Sequence, residues 1–362
     1  MKVALVMGTR PEIIKLSSII KLLNKKNSTV IFTGQHYDYN MSMQFMEELD
    51  IRKPDYSMKL TKLQNTTTDR ATQIGEIVLN LAKIISKISP DTVIVQGDTN
   101  TVLAAAITGL KCSVPVTHVE AGLRSYDWRM PEEHNRIAVD HISEFLFAPT
   151  EYAKKTLLGE KVHGKTYVTG NTSIDAIQQN ILKAENKASL SIEKKNDFAL
   201  VTLHRGENVD NKETLSSIVQ ALLQSKIDMI FPMHPRTVKQ LQRFGLYKKI
   251  QESKNILVIP PVGYFDILYL MKKCQFIISD SGGVQEEATS PSIKKKVLII
   301  RDTTDRPEAV KAGYSELVGT STRKIIQAIK DTLDNPKITS NSNPYGRGNS
   351  AEKILSVLRK AL

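Results

Sequence analysis

Residues 118–136 carry acidic and guanidinium side chains that could move protons beside a bound anion. Glu120 comes directly after an apolar run, and Glu132 and Arg136 follow within the same short segment. A further carboxylate, Asp98, ends an earlier apolar run. Carboxyl groups that are close together and partly removed from water acquire separated pKa values, so that one can donate a proton while another accepts. The spacing therefore favours acid/base chemistry.

Each of these side chains also has a purely structural explanation. Asp98 could cap the helix that follows it, and Glu132 or Glu133 could pair with Arg136. For any one residue alone, that explanation is preferred. Three carboxylates at the strand ends of one predicted sheet favour the functional interpretation.

A second cluster, residues 280–287, has the sequence Asp-Ser-Gly-Gly-Val-Gln-Glu-Glu between a predicted strand and a predicted helix. Glycines let the backbone approach an anion closely, and the N–H groups at a helix start bind phosphate. Glu287, one turn into the helix, could accept hydrogen bonds from both ribose hydroxyls. The alternative is a plain junction capped by Ser281. Neither a dinucleotide fingerprint nor a P-loop is present.

Cationic and imidazole side chains are predicted at other strand ends. Arg10 ends the first strand, Pro11 suits the first helical turn, and Lys15 follows one turn later. Lys15 either faces the site or is an exposed helical lysine, and both interpretations stay open. His204, which ends the first strand of the second half, could contact a phosphate or the reacting centre, whereas His234 is expected to have a supporting role. The seven histidines are scattered without metal-ligand spacing, so no metal is expected.

Short apolar runs alternate with amphipathic segments along the whole chain, which predicts parallel, doubly wound α/β sheets. Strands are predicted at Val3–Met7, Val30–Thr33, Thr92–Val95, Val114–Val119, Phe145–Ala148, Phe198–Thr202, Met229–Met233, Ile256–Ile259, Phe276–Ser279 and Val297–Ile300. Helices are predicted at Glu12–Asn24, at 100–110 and at Ala351–Leu362. The expected domains are residues 1–170 and 171–350. Ligands bind beyond the carboxyl ends of such strands, so two sheets facing each other would form a deep central cleft.

Composition excludes several classes of protein. The 362 residues are 41% apolar and 24% charged, as in a globular protein of two domains. The net charge of +12 is spread over lysine pairs without interleaved aromatics, so no nucleic-acid partner is expected. The first apolar run is too short for a signal peptide, and no segment is long enough to span a membrane. The two cysteines form no framework, so a cytoplasmic protein is expected.

Taken together, these segments closely resemble the non-hydrolysing UDP-N-acetylglucosamine 2-epimerases. The matching motifs run in order along most of the chain: 8–12 (Gly-Thr-Arg-Pro-Glu), 96–99 (Gln-Gly-Asp-Thr), 118–124 (His-Val-Glu-Ala-Gly-Leu-Arg), 131–133 (Pro-Glu-Glu), 135–136 (Asn-Arg), 204–205 (His-Arg), 280–288 and 301–308 (Arg-Asp-Thr-Thr-Asp-Arg-Pro-Glu). The resemblance implies two Rossmann-like domains around a cleft, as in many glycosyltransferases of the B type. It also implies that the last helix, 351–362, returns to the first domain.

The resemblance further implies reversible inversion at C2 of UDP-N-acetylglucosamine, without a nicotinamide or any other cofactor. UDP leaves from C1, a base removes the C2 proton, and re-addition of UDP to 2-acetamidoglucal gives UDP-N-acetylmannosamine. Residue by residue, it implies an acid/base set of Asp98, Glu120 and Glu132. The groups that hold the substrate or the departing UDP are then Arg10, Lys15, Arg136 and the catalytic His204. Phosphate and ribose contacts are implied at Ser281, Gly282, Gly283 and Glu287, with Arg306 nearby. The family is usually homodimeric, and its product serves the synthesis of surface polysaccharides or glycans.

The chain departs from the family pattern at a few places. Bacterial members activated by UDP-N-acetylglucosamine carry a second glutamine shortly after Gln-His, whereas this chain has Gln35-His36-Tyr37-Asp38, which argues against such regulation. The segment 292–296 is longer and lysine-rich, which we interpret as a surface change. Residues 130–133, 261–264 and 345–348 also resemble relatives that epimerise UDP-diacetamido-glucuronate. Those relatives tend to lack Thr-Arg-Pro-Glu and Thr-Thr-Asp-Arg-Pro-Glu, so UDP-N-acetylglucosamine is the expected substrate.

Three alternatives remain at this stage. A hydrolysing 2-epimerase would use the same groups to release UDP and free N-acetylmannosamine. A glycosyltransferase of the same architecture needs one base and an acceptor site, which leaves the clustered carboxylates unexplained. A basic nucleic-acid-binding protein would show steeply salt-dependent binding to polynucleotides.

Overall fold

The computed structural model describes residues 1–35, 39–61, 67–187, 197–336, 338 and 343–362. This part of the chain divides into two compact units. The first unit comprises Met1–Ala176 and Tyr345–Leu362, and the second comprises Ile177–Pro344. The segment His36–Asp38, on which the expectation about regulation depends, lies outside the described residues, as does the lysine pair 194–195.

The first unit is built on a seven-stranded parallel sheet. Its strands are β1 (Val3–Met7), β2 (Ser28–Phe32), β3 (Tyr56–Ser57), β4 (Thr92–Gln96), β5 (Val116–Val119), β6 (Phe145–Ala148) and β7 (Lys165–Val168), in the order β3-β2-β1-β4-β5-β6-β7. Its helices are α1 (Arg10–Leu22), α2 (Tyr39–Glu48), α3 (Thr67–Ile88), α4 (Asn100–Lys111), α5 (Pro131–Ile142) and α6 (Glu151–Gly159), and α7 (Thr172–Lys187) leads into the second unit. The central strands β1 and β4 are completely buried because helices cover both faces of the sheet.

The second unit has a six-stranded parallel sheet. Its strands are β8 (Ala199–Thr202), β9 (Met229–Pro232), β10 (Ile256–Ile259), β11 (Ile277–Ser279), β12 (Val297–Ile299) and β13 (Ser315–Leu317), in the order β10-β9-β8-β11-β12-β13. Its helices are α8 (Gly206–Val209), α9 (Lys212–Gln224), α10 (Pro235–Arg243), α11 (Tyr247–Gln251), α12 (Tyr264–Lys273), α13 (Gly282–Glu287), α14 (Pro307–Lys311) and α15 (Thr322–Asp334).

The chain ends in α16 (Ser350–Ala361), which packs against α1 in the first unit. The Asp175 carboxylate near the start of α7 accepts the backbone N–H of Ala351 at 2.9 Å. Asp175 is 2% exposed, and this burial raises its pKa, although the hydrogen bonds from Ala351 and Ser350 oppose the rise. Burial and a helix-capping bond therefore hold the C-terminal helix on the first unit.

The two parallel, doubly wound sheets confirm the predicted fold class. Predicted and observed elements differ by one or two residues at their ends. The strand order reverses between β1 and β4 in the first sheet and between β8 and β11 in the second. In an open α/β sheet, the crevice at such a reversal is the usual ligand site. The two reversal points therefore indicate where each unit binds its ligand.

Candidate active site

The turn after β1 begins the candidate site of the first unit. Gly8 lies so close to its surroundings that an added Cβ would be 2.2 Å from the hydroxyl oxygens of Thr33 and Thr101. Thr9 is the N-cap of α1, and Pro11 occupies its first turn, as predicted. This tight turn directs the start of α1 towards the end of the neighbouring strand β4.

Glu12 ties this turn to the turn after β4. Its carboxylate accepts the N–H of Gly8 at 2.6 Å and of Thr9 at 3.3 Å, and the hydroxyl of Thr99 donates to it at 2.5 Å. Burial raises the pKa of Glu12 to about 7, although these hydrogen bonds partly oppose the rise. The two loops at the strand-order reversal are therefore joined through one buried carboxyl group.

Arg10 and Lys15 both project from α1, but they have different surroundings. The Arg10 guanidinium is exposed and lies 4.6 Å from the centre of the Phe45 ring, a cation–π arrangement. The Lys15 ammonium is mostly buried and donates to Glu120 Oε2 at 2.5 Å. Lys15 is therefore not an exposed helical lysine, because its side chain pairs with Glu120, and its role towards a substrate stays a prediction.

Glu120 follows β5 and has a backbone φ of +72°, in the left-handed region that non-glycine residues rarely adopt. Lys15 and the amide of Asn171, whose Nδ2 lies 3.0 Å from Oε2, both donate to its side chain. Sequence analysis missed Asn171, which follows β7 and lies two strands away from β5. Unusual backbone conformations that persist in a folded protein often occur at functional sites.

Asp98 lies in the turn after β4, where Gly97 has a φ of +84°. The Asp98 carboxylate accepts from Arg136 Nη2 at 2.5 Å, and its main-chain oxygen accepts from Asn135 Nδ2 at 2.8 Å. The ring of His118 contacts the main-chain oxygen of Gly97 at 2.8 Å. Contacts from β5 and α5 therefore anchor the Asp98 turn, and they bring together Asp98 and Arg136, a pairing that the sequence analysis did not predict.

The two adjacent glutamates at the start of α5 have opposite surroundings. Glu133 is fully buried and accepts hydrogen bonds from the backbone of Ser125 and Tyr126 and from Arg136 at 3.1 Å. Burial alone would raise the pKa of Glu133, but these donors outweigh it and lower the pKa. Glu132 is exposed, and it makes no hydrogen bond or ion pair with the described residues. The structure does not bring Glu132 into contact with Asp98 or Glu120.

A buried ionic network lies beneath the loop that carries Glu120. Asp140 accepts from His118 Nδ1 at 2.7 Å, from the N–H of Gly122 at 3.1 Å and from Arg124 at 2.8 Å. Arg124 also makes two hydrogen bonds with Glu160. Burial would raise the pKa of Asp140, but the interactions with His118 and Arg124 lower it. Asp140 therefore links strand β5, helix α5 and the Glu120 loop.

In the second unit, Asp280 organises the ends of β8 and β11. Its fully buried carboxylate accepts the N–H groups of His204 and Arg205 at 3.0–3.1 Å and the side-chain amide of Asn208 at 3.1 Å. The His204 ring lies 3.3 Å from Asp280 and 5.9 Å from the ring of His234. Burial lowers the pKa of His204, and nearby Arg205, His234 and Arg236 lower it further, whereas Asp280 opposes them.

Ser281, Gly282 and Gly283 form the turn from β11 into α13. A Cβ added at Gly283 would meet no atom closer than 3.9 Å, and one at Gly282 none closer than 3.4 Å. Packing within the protein therefore does not explain either glycine, and their role at a phosphate stays a prediction. Of the two following glutamates, Glu286 is fully buried against Arg306, whereas Glu287 is half-buried.

Arg306 is buried between two carboxylates. Its Nε donates to Glu286, and its Nη1 lies 2.8 Å from Asp305. Arg301, at the end of β12, pairs in turn with Glu207 at 2.7 Å and with Asp305 at 3.5 Å. Arg306 thus holds the 304–306 loop against the start of α13, next to the predicted phosphate turn.

Within the described residues, no group of three or more His, Cys, Asp and Glu side chains is arranged to hold a metal ion. No helix in this part of the chain combines the length and apolar character that crossing a membrane requires. Cys112 and Cys274 are both free thiols, and burial raises the pKa of Cys274 to about 12. Neither cysteine thiol lies in the site described here.

Comparison with known proteins points to one family. A family profile described as UDP-N-acetylglucosamine 2-epimerase matches residues 21–359. The UDP-N-acetylglucosamine 2-epimerase of Methanocaldococcus jannaschii is 46% identical over 331 residues, which are 88% of each chain. The UDP-2,3-diacetamido-2,3-dideoxy-D-glucuronate 2-epimerase of Pseudomonas aeruginosa is 37% identical over 329 residues, 89% of each chain. The crystal structure of the M. jannaschii enzyme in complex with UDP-GlcNAc and UDP is similar with a TM-score of 0.87 at 43% identity, covering 99% of this chain and all of that one.

Proposed function

This chain belongs to the UDP-N-acetylglucosamine 2-epimerase family, and on that basis we propose that it interconverts UDP-N-acetylglucosamine and UDP-N-acetylmannosamine without net hydrolysis. One observation carries the proposal. In the first unit, two predicted acid/base carboxylates are each held by a cation, Glu120 by Lys15 and Asp98 by Arg136. A reaction that removes and returns a proton at one carbon needs such groups, whereas a transferase needs one base.

The chemistry explains why cations and carboxylates occur together. The C2–H bond of the intact sugar is not acidic, so the C1–O bond must break first, and its electrons leave with UDP. The C2–H electrons then form the C1=C2 double bond of 2-acetamidoglucal while a carboxylate takes the proton. Re-addition of UDP at C1, with protonation of C2 from the opposite face, gives the epimer. Every proton and electron pair returns, so the cycle needs no external oxidant or reductant.

We assign the residues by the charges they handle. Asp98, Glu120 and Glu132 form the acid/base set, and Arg10, Lys15 and Arg136 stabilise the substrate and the departing UDP. The exposed position of Glu132 supports this assignment, because the protein does not use its carboxylate for an internal contact in the described residues.

In the second unit, His204 contacts the departing diphosphate. Ser281, Gly282 and Gly283 bind phosphate through their backbone, and Glu287 binds the ribose hydroxyls. Arg306 acts beside them by holding the loop against Glu286. The half-buried position of Glu287 supports the ribose role, since its neighbour Glu286 is fully buried.

UDP-N-acetylglucosamine is preferred over the diacetamido-glucuronate sugar for two reasons. The M. jannaschii relative, which is named for the former, is 46% identical, whereas the P. aeruginosa relative, which is named for the latter, is 37% identical. The chain also has Thr-Arg-Pro-Glu at 9–12 and Thr-Thr-Asp-Arg-Pro-Glu at 303–308, which relatives of the second kind tend to lack.

Proton NMR of the purified protein with UDP-N-acetylglucosamine in D2O tests the proposal. We expect UDP-N-acetylmannosamine to form and deuterium to enter C2 of both sugars. Accumulation of UDP and free N-acetylmannosamine would instead identify a hydrolysing epimerase. If the spectrum does not change, the same assay is repeated with UDP-diacetamido-glucuronate. Epimerisation of that sugar would identify a UDP-diacetamido-glucuronate 2-epimerase, and no reaction would favour a transferase.

The family resemblance also leads us to propose a homodimer that works in the cytoplasm and supplies surface polysaccharide or glycan synthesis. Light scattering coupled to gel filtration measures the first of these directly. A mass of one chain at micromolar concentration would contradict the dimer.

A further inference from the structure

We propose that Asn171 is a positioning residue of this reaction, which holds the Glu120 carboxylate in the orientation that proton exchange with the sugar requires. The inference rests on the function proposed above, because it assumes that Glu120 exchanges a proton with the sugar. It adds a residue that lies 51 positions from Glu120 in the sequence and meets it only in the folded chain.

The orientation of the Asn171 amide is determined by its neighbours. Its Oδ1 accepts the backbone N–H of Ser173 at 2.9 Å, and a backbone N–H can only donate. The other end of the amide must therefore be the NH2 group, and this group points at Glu120 Oε2, 3.0 Å away. Asn171 is 2% exposed, and its own N–H donates to the main-chain oxygen of Tyr345 at 2.8 Å.

The junction between β7 and α7 holds the residue rigidly. Gly170 has a φ of +91°, and an added Cβ would lie 2.9 Å from the Tyr345 oxygen and 2.7 Å from Ser350 Oγ. The C-terminal segment, through Tyr345 and Ser350, therefore packs directly against the turn that contains Asn171. Because β7 and β5 are parallel strands of one sheet, their carboxyl ends lie at the same edge, and the amide reaches Glu120 there.

Two donors converge on the same oxygen of Glu120. The Lys15 ammonium lies 2.5 Å from Oε2 and the Asn171 amide 3.0 Å, and a carboxylate oxygen has two lone pairs in its plane. Neither the ammonium nor the NH2 group can accept a hydrogen bond. A proton could therefore reach Oε2 only by displacing one of these donors.

The two donors also prevent rotation of the carboxylate. They come from α1 and from the β7–α7 junction, so turning the group would break both bonds together. Loss of the amide removes the donor that comes from the β7–α7 junction, and the base then samples orientations that miss C2. A misplacement of about 1 Å in a catalytic group can cost roughly 100-fold in rate. We expect a loss in kcat of about 10-fold to 100-fold with little change in KM.

Two substitutions remove the hydrogen bond to Glu120 but keep the acceptor that stabilises the turn around Asn171. Asn171→Ser keeps an oxygen that can accept the N–H of Ser173, but its side chain is too short to reach Glu120. Asn171→Asp has almost the same shape and keeps the acceptor, but it places a carboxylate oxygen where the NH2 group was. Thr150→Ala is the matched control, because Thr150 accepts the N–H of Ala153 at the start of α6 in the same unit.

The measurements are kcat, KM and the primary isotope effect on kcat with substrate deuterated at C2, together with circular dichroism to establish folding. We expect a larger isotope effect and a lower kcat for Asn171→Ser, a still lower kcat for Asn171→Asp, and wild-type kinetics for Thr150→Ala. If one Asn171 variant fails to fold, the other decides. Wild-type kcat and isotope effect in either folded variant would overturn the inference. If the wild type does not epimerise the substrate, the proposed function itself fails.

Discussion

Glu12 offers a direct test of the electrostatics at the β1–β4 reversal. Burial raises its pKa from 4.5 to about 7, so between these values the folded chain holds a proton that the unfolded chain has released. A raised pKa contributes stability that is fully present below pH 4.5 and is lost as the pH rises through about 7. At 1.36 kcal/mol for each pKa unit, the loss is about 3 kcal/mol in the free energy of unfolding.

Glu12→Gln imitates the protonated acid at every pH. Its amide oxygen can accept the N–H groups of Gly8 and Thr9, and its NH2 group can donate to the Thr99 hydroxyl. We therefore expect the variant and the wild type to be similarly stable near pH 5. Near pH 8.5 the variant should be more stable by up to about 3 kcal/mol, because only the wild type then carries a buried charge.

Urea unfolding of both proteins at several pH values measures this difference. The single tryptophan, Trp128, lies in the first unit, so its fluorescence reports unfolding of the unit that contains Glu12. Glu151→Gln makes the same chemical change at an exposed first-turn position of α6 and serves as the control. A difference between wild type and Glu12→Gln that does not vary with pH would refute the reasoning, since it would mean that the three donors keep Glu12 ionised.

Other predictions concern the network, the histidine and the glycines. Asp140→Asn should lower the free energy of unfolding by about 3–5 kcal/mol in the same fluorescence assay, because it leaves buried cationic partners unpaired. Since burial lowers its pKa, His204 should titrate below 6.5 by NMR, and a midpoint above 6.5 would mean that Asp280 dominates. Gly283→Ala should leave stability within about 0.5 kcal/mol but raise KM for the nucleotide sugar at least tenfold. Gly122→Ala, with φ of +84° and a backbone oxygen 2.4 Å from the added Cβ, should instead unfold the first unit at lower urea.

The sequence predicted the central strands and the edge strand β10 well, but it did not predict the other three edge strands. The strands β1, β4 and β11 are buried along their whole length, so each appears as a continuous apolar run. The strands β3, β7 and β13 lie at sheet edges and are partly exposed, so no such run marks them. Their pairing depends on neighbours that the local sequence does not reveal.

The candidate site also contains residues that the sequence predicted and residues that it did not. Motif order predicted Asp98, Glu120 and the 281–283 turn as site residues, because each follows a strong strand signal. It did not predict Asn171, whose partner is distant in sequence, and it left open whether Glu132 or Glu133 pairs with Arg136. Helical geometry offers one signal for the latter pair, since position 133 lies three residues before Arg136 and faces it across one turn. Asn171 has the local signal of a glycine before a helix start, which predicts a cap rather than a catalytic neighbour.

The left-handed backbone of Glu120 links the stability of the fold to the activity. Such a conformation costs about 1–3 kcal/mol in a residue with a side chain, so it persists only where the surroundings impose it. The N–H groups of Glu120 and Ala121 donate to the main-chain oxygen of Phe147, and Asp140, which is itself held by His118 and Arg124, accepts the N–H of Gly122. Asp140 therefore helps to hold this loop. Asp140→Asn should therefore reduce kcat as well as stability, even where the protein is still fully folded. Unchanged kcat in the folded variant would show that the position of the Glu120 carboxylate does not depend on the charge of Asp140.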